Sequence, residues 1–209
     1  MTILLIGGSP STSSSSSRFL HHVGDKLALR GHSVNKLHVR ELPAEALLHA
    51  DCSHADIARA LAAVAAADAV VIATPVYKAS FSGILKTFLD LLPQDGLAGK
   101  LVLPLASGGS QSHMLALDYA LRPVLHALEA RHVLASIYAT SQQLQWNEEE
   151  GLTPDAAIAL RIAAGVEHLS ANLHALHGKP ELRVVGGDAL AELSAQRSLR
   201  DQPYAANAV

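Results

Sequence analysis

Residues 7–18, Gly7-Gly8-Ser9-Pro10-Ser11-Thr12-Ser13-Ser14-Ser15-Ser16-Ser17-Arg18, are almost all small and carry hydroxyl groups. They lie between the apolar run Ile3-Leu4-Leu5-Ile6 and a segment in which Phe19, Leu20, Val23 and Leu27 recur at helical spacing. The implied order is strand, loop, helix. At such a junction the free amides of the helix N-terminus and the row of hydroxyls meet beyond the end of the strand, which makes an anion site, above all for a phosphate. A serine run can also be a flexible linker. Linkers join domains, however, and this run follows the first strand, with no domain before it to tether.

The missing residues narrow the ligand. There is no Gly-Lys-Ser/Thr ending, so no lysine is offered to the terminal phosphates of a nucleoside triphosphate, and G-x-G-x-x-G is absent too. Hydroxyls in place of those glycines suit a terminal monophosphate, and FMN is the natural candidate. No Ser-His-Asp order, H-E-x-x-H or paired-cysteine spacing is present. His174 and His177 stand at i, i+3 but lack a third ligand, so no metal is expected. Asp118 reads as a surface or interface carboxylate rather than an acid or base. Cys52 is the single cysteine and is expected to be inert.

Two further loops have a similar position. Thr74-Pro75-Val76-Tyr77-Lys78 follows Ala69-Val70-Val71-Ile72-Ala73, whose unbroken apolar character marks a parallel strand covered on both faces. Ser107-Gly108-Gly109-Ser110 follows the strand 101–106, and its glycines would let backbone approach a flat ring closely.

These loops need elements to hold them. The pattern predicts helices over 16–30, 81–92 and 113–131, an alanine-rich helix from Ser53/Asp56 to about Asp68, and a helix from Thr153/Pro154 to His177. Strands are predicted at 3–6, 33–39 (an edge strand), 69–73, 101–106 and 133–138, with a polar loop at 142–151 carrying the single tryptophan, Trp146. On the helix at 81–92, Ile84, Leu89 and Leu91 widen the apolar arc past one core contact, which predicts a subunit interface. Pro123 has no amide for the carbonyl of Tyr119, so a kink or a wide helical turn is expected there. From Gly178 the periodicity dissolves. Residues 1–177 are therefore read as one domain and 178–209 as a tail that is mobile or packs on a partner. The fold class is α/β: a flavodoxin-like, five-stranded parallel sheet in the order 2-1-3-4-5, helices on both faces, and the three loops gathered at the switch in strand order.

At 209 residues the chain is long enough for one full core. Its 49% hydrophobic content against 17% charged leaves apolar surface for self-association. A net charge of -3 with no basic stripe argues against nucleic acid. No apolar run reaches bilayer length, and Met1 leads into a strand rather than a signal sequence, so a cytoplasmic location is expected.

Gly7-Gly8-Ser9-Pro10, Ala73-Thr74-Pro75-Val76-Tyr77-Lys78-Ala79, Ser82-Gly83-Ile84-Leu85-Lys86-Thr87, Leu89-Asp90-Leu91-Leu92-Pro93 and Leu103-Pro104-Leu105-Ala106-Ser107-Gly108-Gly109 together resemble the NADPH-dependent FMN reductases. More narrowly, Leu117-Asp118-Tyr119-Ala120-Leu121-Arg122-Pro123-Val124-Leu125 is similar to the reductase component of two-component alkanesulfonate monooxygenases. The resemblance implies an oxidoreductase that takes hydride from NADPH and hands reduced FMN to a partner monooxygenase for sulfonate desulfonation. It implies FMN as an exchanging substrate, a homotetramer, and a π-helical turn at Tyr119, before Pro123, in the tetramer interface. It assigns Ser9, Ser11, Ser16, Ser17 and Arg18 to the phosphate, and Pro75, Val76, Tyr77, Lys78, Ser107, Gly108 and Gly109 to the isoalloxazine ring, with no covalent catalyst. Relatives often carry an arginine where this chain has Ser11, and a small hydroxyl residue where it has Arg18, so the positive partner of the phosphate stays open. Two rival readings share the fold: a quinone or azo-compound reductase that holds FMN tightly, and a non-catalytic flavodoxin-type electron carrier. Such carriers are usually strongly acidic and monomeric, which the net charge of -3 and the apolar helix faces do not support.

Overall fold

The computed structural model describes residues 1–177, and the expected tail lies outside the described residues. Its core is a twisted parallel sheet of β1 (Thr2–Gly7), β2 (Ser33–His38), β3 (Ala69–Tyr77) and β5 (Leu101–Gly108), closed by a fifth strand in two pieces, β6 (His132–Val133) and β7 (Ile137–Thr140). The order is β2-β1-β3-β5 and then β6 and β7, which is the predicted 2-1-3-4-5 path. The sheet nevertheless counts seven strands, because the last one is broken and β4 (Ser80–Phe81) adds an antiparallel pair to β3.

The break has a physical cause. Leu101 and Val102 pair with β6 and Leu105 to Gly108 with β7, so residues 134–136 face only Leu103 and Pro104. One residue is in excess there, as in a bulge, and Pro104 has no amide to offer. Arginines from neighbouring helices satisfy the carbonyls set free. Arg122 donates to Val133 O and Leu134 O at 3.4 and 3.3 Å, and Arg161 to Ser136 O at 3.1 Å.

Successive β residues alternate between two cores, as a doubly covered sheet requires. Ile3, Leu5, Val71 and Leu103 pack under α1 (Ser15–Ala28) and α6 (Ala156–His177), with Phe19, Leu20, Ile162 and Leu169 from those helices. Leu4, Ile6, Val70 and Val102 face α3 (Ala55–Ala66), α4 (Gly83–Leu89) and α5 (Arg122–Ala127). A short α2 (Ala44–Leu48) was not foreseen.

Several boundaries differ from expectation. Asp51 accepts from the amide and hydroxyl of Ser53 at 3.0 and 2.5 Å, so Ser53 closes a turn and His54 caps α3 instead. Thr153 and Pro154 do not open α6. The residue before a proline prefers extended backbone, and both residues lie in β9 (Gly151–Pro154), which pairs with β8 (Leu144–Asn147) where a loop was expected. Asp155 caps α6, its Oδ1 accepting from the Ile158 amide at 2.7 Å.

The predicted helix at 81–92 shrinks to α4, with Phe81 in β4 and Ser82 as its cap. Its surplus apolar residues are taken up by this chain's own core: Leu89 and Leu91 are buried, and the half-buried Ile84 packs against that core. The exposed apolar groups sit elsewhere. Met114, Leu115 and Tyr119 surround a π-helical turn, Leu117–Leu121, that runs into α5. There the Arg122 amide bonds to the Leu117 carbonyl, one residue further back than in an α-helix, and Pro123 follows. The wide turn expected from the proline is thus present, and Tyr119 stands on it 79% exposed. No helix among the described residues is long and apolar enough to cross a membrane.

Candidate active site

Parallel pairing places the three expected loops at one edge of the sheet. Gly7 is the register partner of both His38 and Ala73, and Pro75 is that of Ser107. The ends of β1, β3 and β5 are therefore neighbours.

At the first end, Ser9 is fully buried and its Oγ accepts from the Ser11 amide at 3.2 Å, which turns the loop back on itself. Ser14 caps α1. Its Oγ accepts from the Ser17 amide at 3.1 Å and lies 3.2 Å from Ser16 Oγ, so the serine row is folded into the first turn rather than hanging free. The amides of Ser15 and Ser16 have no protein acceptor among the described residues. These amides and the half-spent hydroxyls of Ser16 and Ser17 are the groups a phosphate needs.

Buried hydrogen bonds clamp the first two loops together. The Gly8 amide donates to Ala73 O at 2.8 Å, the Ser82 hydroxyl donates to Gly8 O, and the Ser82 amide donates to Thr74 Oγ1 at 3.0 Å. The sequence marks Thr74 as the first residue of its loop but not as a ring contact, and Ser82 only as part of a family motif. Pro75 and Val76 are not loop residues. They continue β3 as buried strand, and Tyr77 pairs with Ser80 across a two-residue turn made by Lys78 and Ala79. Both of these have positive φ, 50° and 62°, as a type I′ hairpin turn requires. Tyr77 and Lys78 are exposed at the rim.

Ser107 and Gly108 likewise finish β5 as strand, and Gly109 and Ser110 are exposed beyond it. Gly108 is required by a close approach, since a Cβ there would lie 2.5 Å from Tyr138 Oη. That hydroxyl donates to Ser110 O at 2.5 Å and holds the loop. Burial pushes the Tyr138 phenol above its usual pKa.

The positively charged groups fall differently from expectation. The Arg18 guanidinium carbon lies 4.5 Å from the centre of the Trp146 ring on the β8–β9 hairpin. A guanidinium that was not foreseen, that of Arg40, reaches Ser17 Oγ at 3.4 Å. It is followed by an imidazole pair, with Arg40 Nη1 3.1 Å from His38 Nδ1 and His38 Nε2 2.9 Å from His21 Nε2. Burial, with the nearby Arg40 and Lys36 charges as smaller causes, holds His38 and His21 below the ordinary histidine pKa. Tyr119 lies on the π-helical turn, which packs against β4 and β5, and Pro123 lies in the first turn of α5 that follows it. Asp118 is exposed and ion-paired to Arg122 at 3.2 Å.

A parallel sheet in this order, with a hydroxyl-lined helix start beside two strand ends, defines a flavodoxin-like protein with a mononucleotide site. Comparison with known proteins makes the class specific. Residues 1–145 match the model of the family described as NADPH-dependent FMN reductase. The chain is 46% identical to the FMN reductase (NADPH) of Pseudomonas putida strain KT2440 over 177 residues, 85% of this chain and 87% of that one. It is 40% identical to the FMN reductase (NADPH) of Escherichia coli K12 over 164 residues, 78% and 86% of the two chains. Among solved structures, the apo form of the NADH:FMN oxidoreductase EMOB superposes with a TM-score of 0.76 at 37% identity, covering 87% of this chain and 98% of that one. The chain belongs to the NADPH-dependent FMN reductase family, oxidoreductases whose flavin is FMN and whose electron donor is NADPH.

Proposed function

We propose that this protein is a cytoplasmic, homotetrameric FMN reductase that oxidises NADPH and releases reduced FMN to a partner monooxygenase acting on sulfonates. The observation that carries the reductase reading is the union, at one sheet edge, of the amide- and hydroxyl-lined start of α1 with the paired ends of β3 and β5. The residues fit FMN. Ser9, Ser11, Ser16 and Ser17 line the phosphate end, while Pro75 to Lys78 and Ser107 to Gly109 offer backbone and no bulky side chain beyond Tyr77 to a flat ring. The monooxygenase partner and the tetramer are supported by the 117–125 motif and by the exposed Met114, Leu115 and Tyr119 around its π-helical turn.

When bound, FMN supplies the acceptor atom, N5, for a hydride from the nicotinamide. The chain's part is positioning. The Ser82–Gly8 and Gly8–Ala73 hydrogen bonds fix the ends of β1 and β3 against each other, so the edge that would hold the flavin is ordered before binding. No side chain at this edge need act as an acid or base. Stopped-flow absorbance in the NADPH band tests the reading: the full chain should oxidise NADPH only when free FMN is added, and after dialysis it should be colourless. Absence of FMN-dependent oxidation would refute it, and a yellow protein that retains FMN would favour the quinone or azo-compound reductase.

A further inference from the structure

Among the described residues, no side-chain hydrogen bond joins Arg18, the one cation in the serine loop, to the loop's hydroxyls. Ser11 is exposed, its hydroxyl 3.5 Å from Ser13 Oγ, and Arg18 is committed to Trp146. A phosphate monoester bears up to two negative charges at neutral pH, and hydroxyls and amides alone neutralise none of it. The charge comes from another element. Arg40 sits in the single turn Val39–Glu41 after β2, and its Nη1 lies 3.4 Å from Ser17 Oγ in the first turn of α1.

Three features make Arg40 more than a passing surface group. Its side chain is only 14% exposed, so its field is less screened by water than that of an ordinary surface arginine. Its one carboxylate partner among the described residues is Glu41 at 3.1 Å, itself 63% exposed and therefore a weak competitor for the charge. Its Nε is buried without a hydrogen-bond partner among the described residues, a rare condition for a donor. The guanidinium is also held in place. Because an arginine only donates, His38 Nδ1 must accept, which puts the His38 proton on Nε2 and aims it at His21 Nε2. A neutral imidazole pair thus braces the cation at Nη1, the same nitrogen that reaches Ser17 Oγ. Gly7 leaves room for this arrangement, since a Cβ there would lie 2.4 Å from His38 Nδ1.

We propose that Arg40 is the residue that reads the 5′-phosphate of the flavin in this protein, taking from the end of β2 the role that Ser11 and Arg18 leave unfilled. This rests on the reading of the serine loop as the phosphate site. Arg40 gives this enzyme its preference for FMN over riboflavin, which lacks the phosphate. His38 and His21 are positioning residues that keep the guanidinium turned to Ser17.

The test is a fluorescence titration of the full chain with FMN and, separately, with riboflavin. Arg40→Gln should weaken FMN by about 10- to 100-fold, the range of a lost charge-assisted hydrogen bond, and leave riboflavin within about twofold. Arg40→Lys keeps the charge without the fork and should fall between. Ser11→Arg added to Arg40→Gln should restore FMN affinity, because it returns a cation to the same phosphate; this double variant also shows that the single one is folded. If Arg40→Gln keeps the wild-type ratio of FMN to riboflavin, or loses both flavins alike, Arg40 does not read the phosphate. If the wild-type chain itself binds both equally, the serine loop is not a phosphate site and the proposal falls with it.

Discussion

Lys78 and Ala79 occupy the left-handed region at φ 50° and 62°, between the paired residues Tyr77 and Ser80. A residue with a Cβ costs roughly 1–2 kcal/mol in that region, and the usual type I′ sequence avoids the cost with Asn-Gly. Ala79→Gly removes the clash but returns about 0.4–1 kcal/mol of backbone entropy to the unfolded chain. The net expectation is a stabilisation of about 0.5–1 kcal/mol. For a domain of this size, 1 kcal/mol moves Tm by roughly 2–4 °C, so Ala79→Gly should melt about 1–4 °C higher. Ala79→Val, whose branched Cβ tolerates positive φ least, should melt lower by at least as much. Glu129 is a matched control far from the flavin edge. It is exposed at φ 61° just past the end of α5, where glycine is the preferred residue, and Glu129→Gly should stabilise by a similar amount. Thermal unfolding followed by circular dichroism reads all three. A lower Tm for Ala79→Gly together with a higher one for Glu129→Gly would refute the turn assignment alone. A lower Tm for both would refute the strain argument.

Acid should destabilise this protein in a definite window. His21, His22, His32 and His38 all have folded-state pKa values lowered from 6.5, with burial the largest cause, so between those lowered values and 6.5 the unfolded chain binds more protons. Stability is therefore full above 6.5, falls as the pH drops through it, and levels off below the folded values; urea midpoints at pH 7.5 and 5.5 should show the loss, and equal midpoints would contradict it. Tyr138→Phe removes the donor to Ser110 O and should cost about 1 kcal/mol while raising KM for FMN, because the 107–110 loop loses its tether; an unchanged KM would place the loop outside the flavin site. Deleting Tyr119 should convert the π-helical turn to α-helix and lower the mass seen by sedimentation, whereas an unchanged tetramer would remove the proposed role of that residue.

Much of this was legible from local pattern. The short apolar runs at Ile3 to Ile6 and Ala69 to Ala73, bounded by loop residues, read as strands covered on both faces, and Pro123 announces a defect at Tyr119 because a missing amide acts within its own helix. What was not legible depends on neighbours distant in sequence. The apolar arc of Ile84, Leu89 and Leu91 looks the same whether a second subunit or this chain's own core covers it, and here the core buries Leu89 and Leu91 and packs against Ile84. Strand β3 runs on to Pro75 because β5 pairs with it as far as Ser107, a partnership that no single window contains, and it continues through Val76 and Tyr77 as one arm of the hairpin with Ser80 and Phe81.

Arg40 shows the same limit at the site. In sequence it directly follows a weak edge strand, and no local motif marks it. Its proximity to Ser17 is a consequence of register. Once β1 and β2 pair so that Gly7 faces His38, the residue two places further on must emerge beside the first turn of α1. Gly7 then serves more than the turn of the loop, since only a residue without a Cβ leaves space for the imidazole that braces the guanidinium. The glycine that marks the end of the first strand and the arginine after the second are thus two parts of one device, joined by the β1–β2 pairing and by nothing in the local sequence of either.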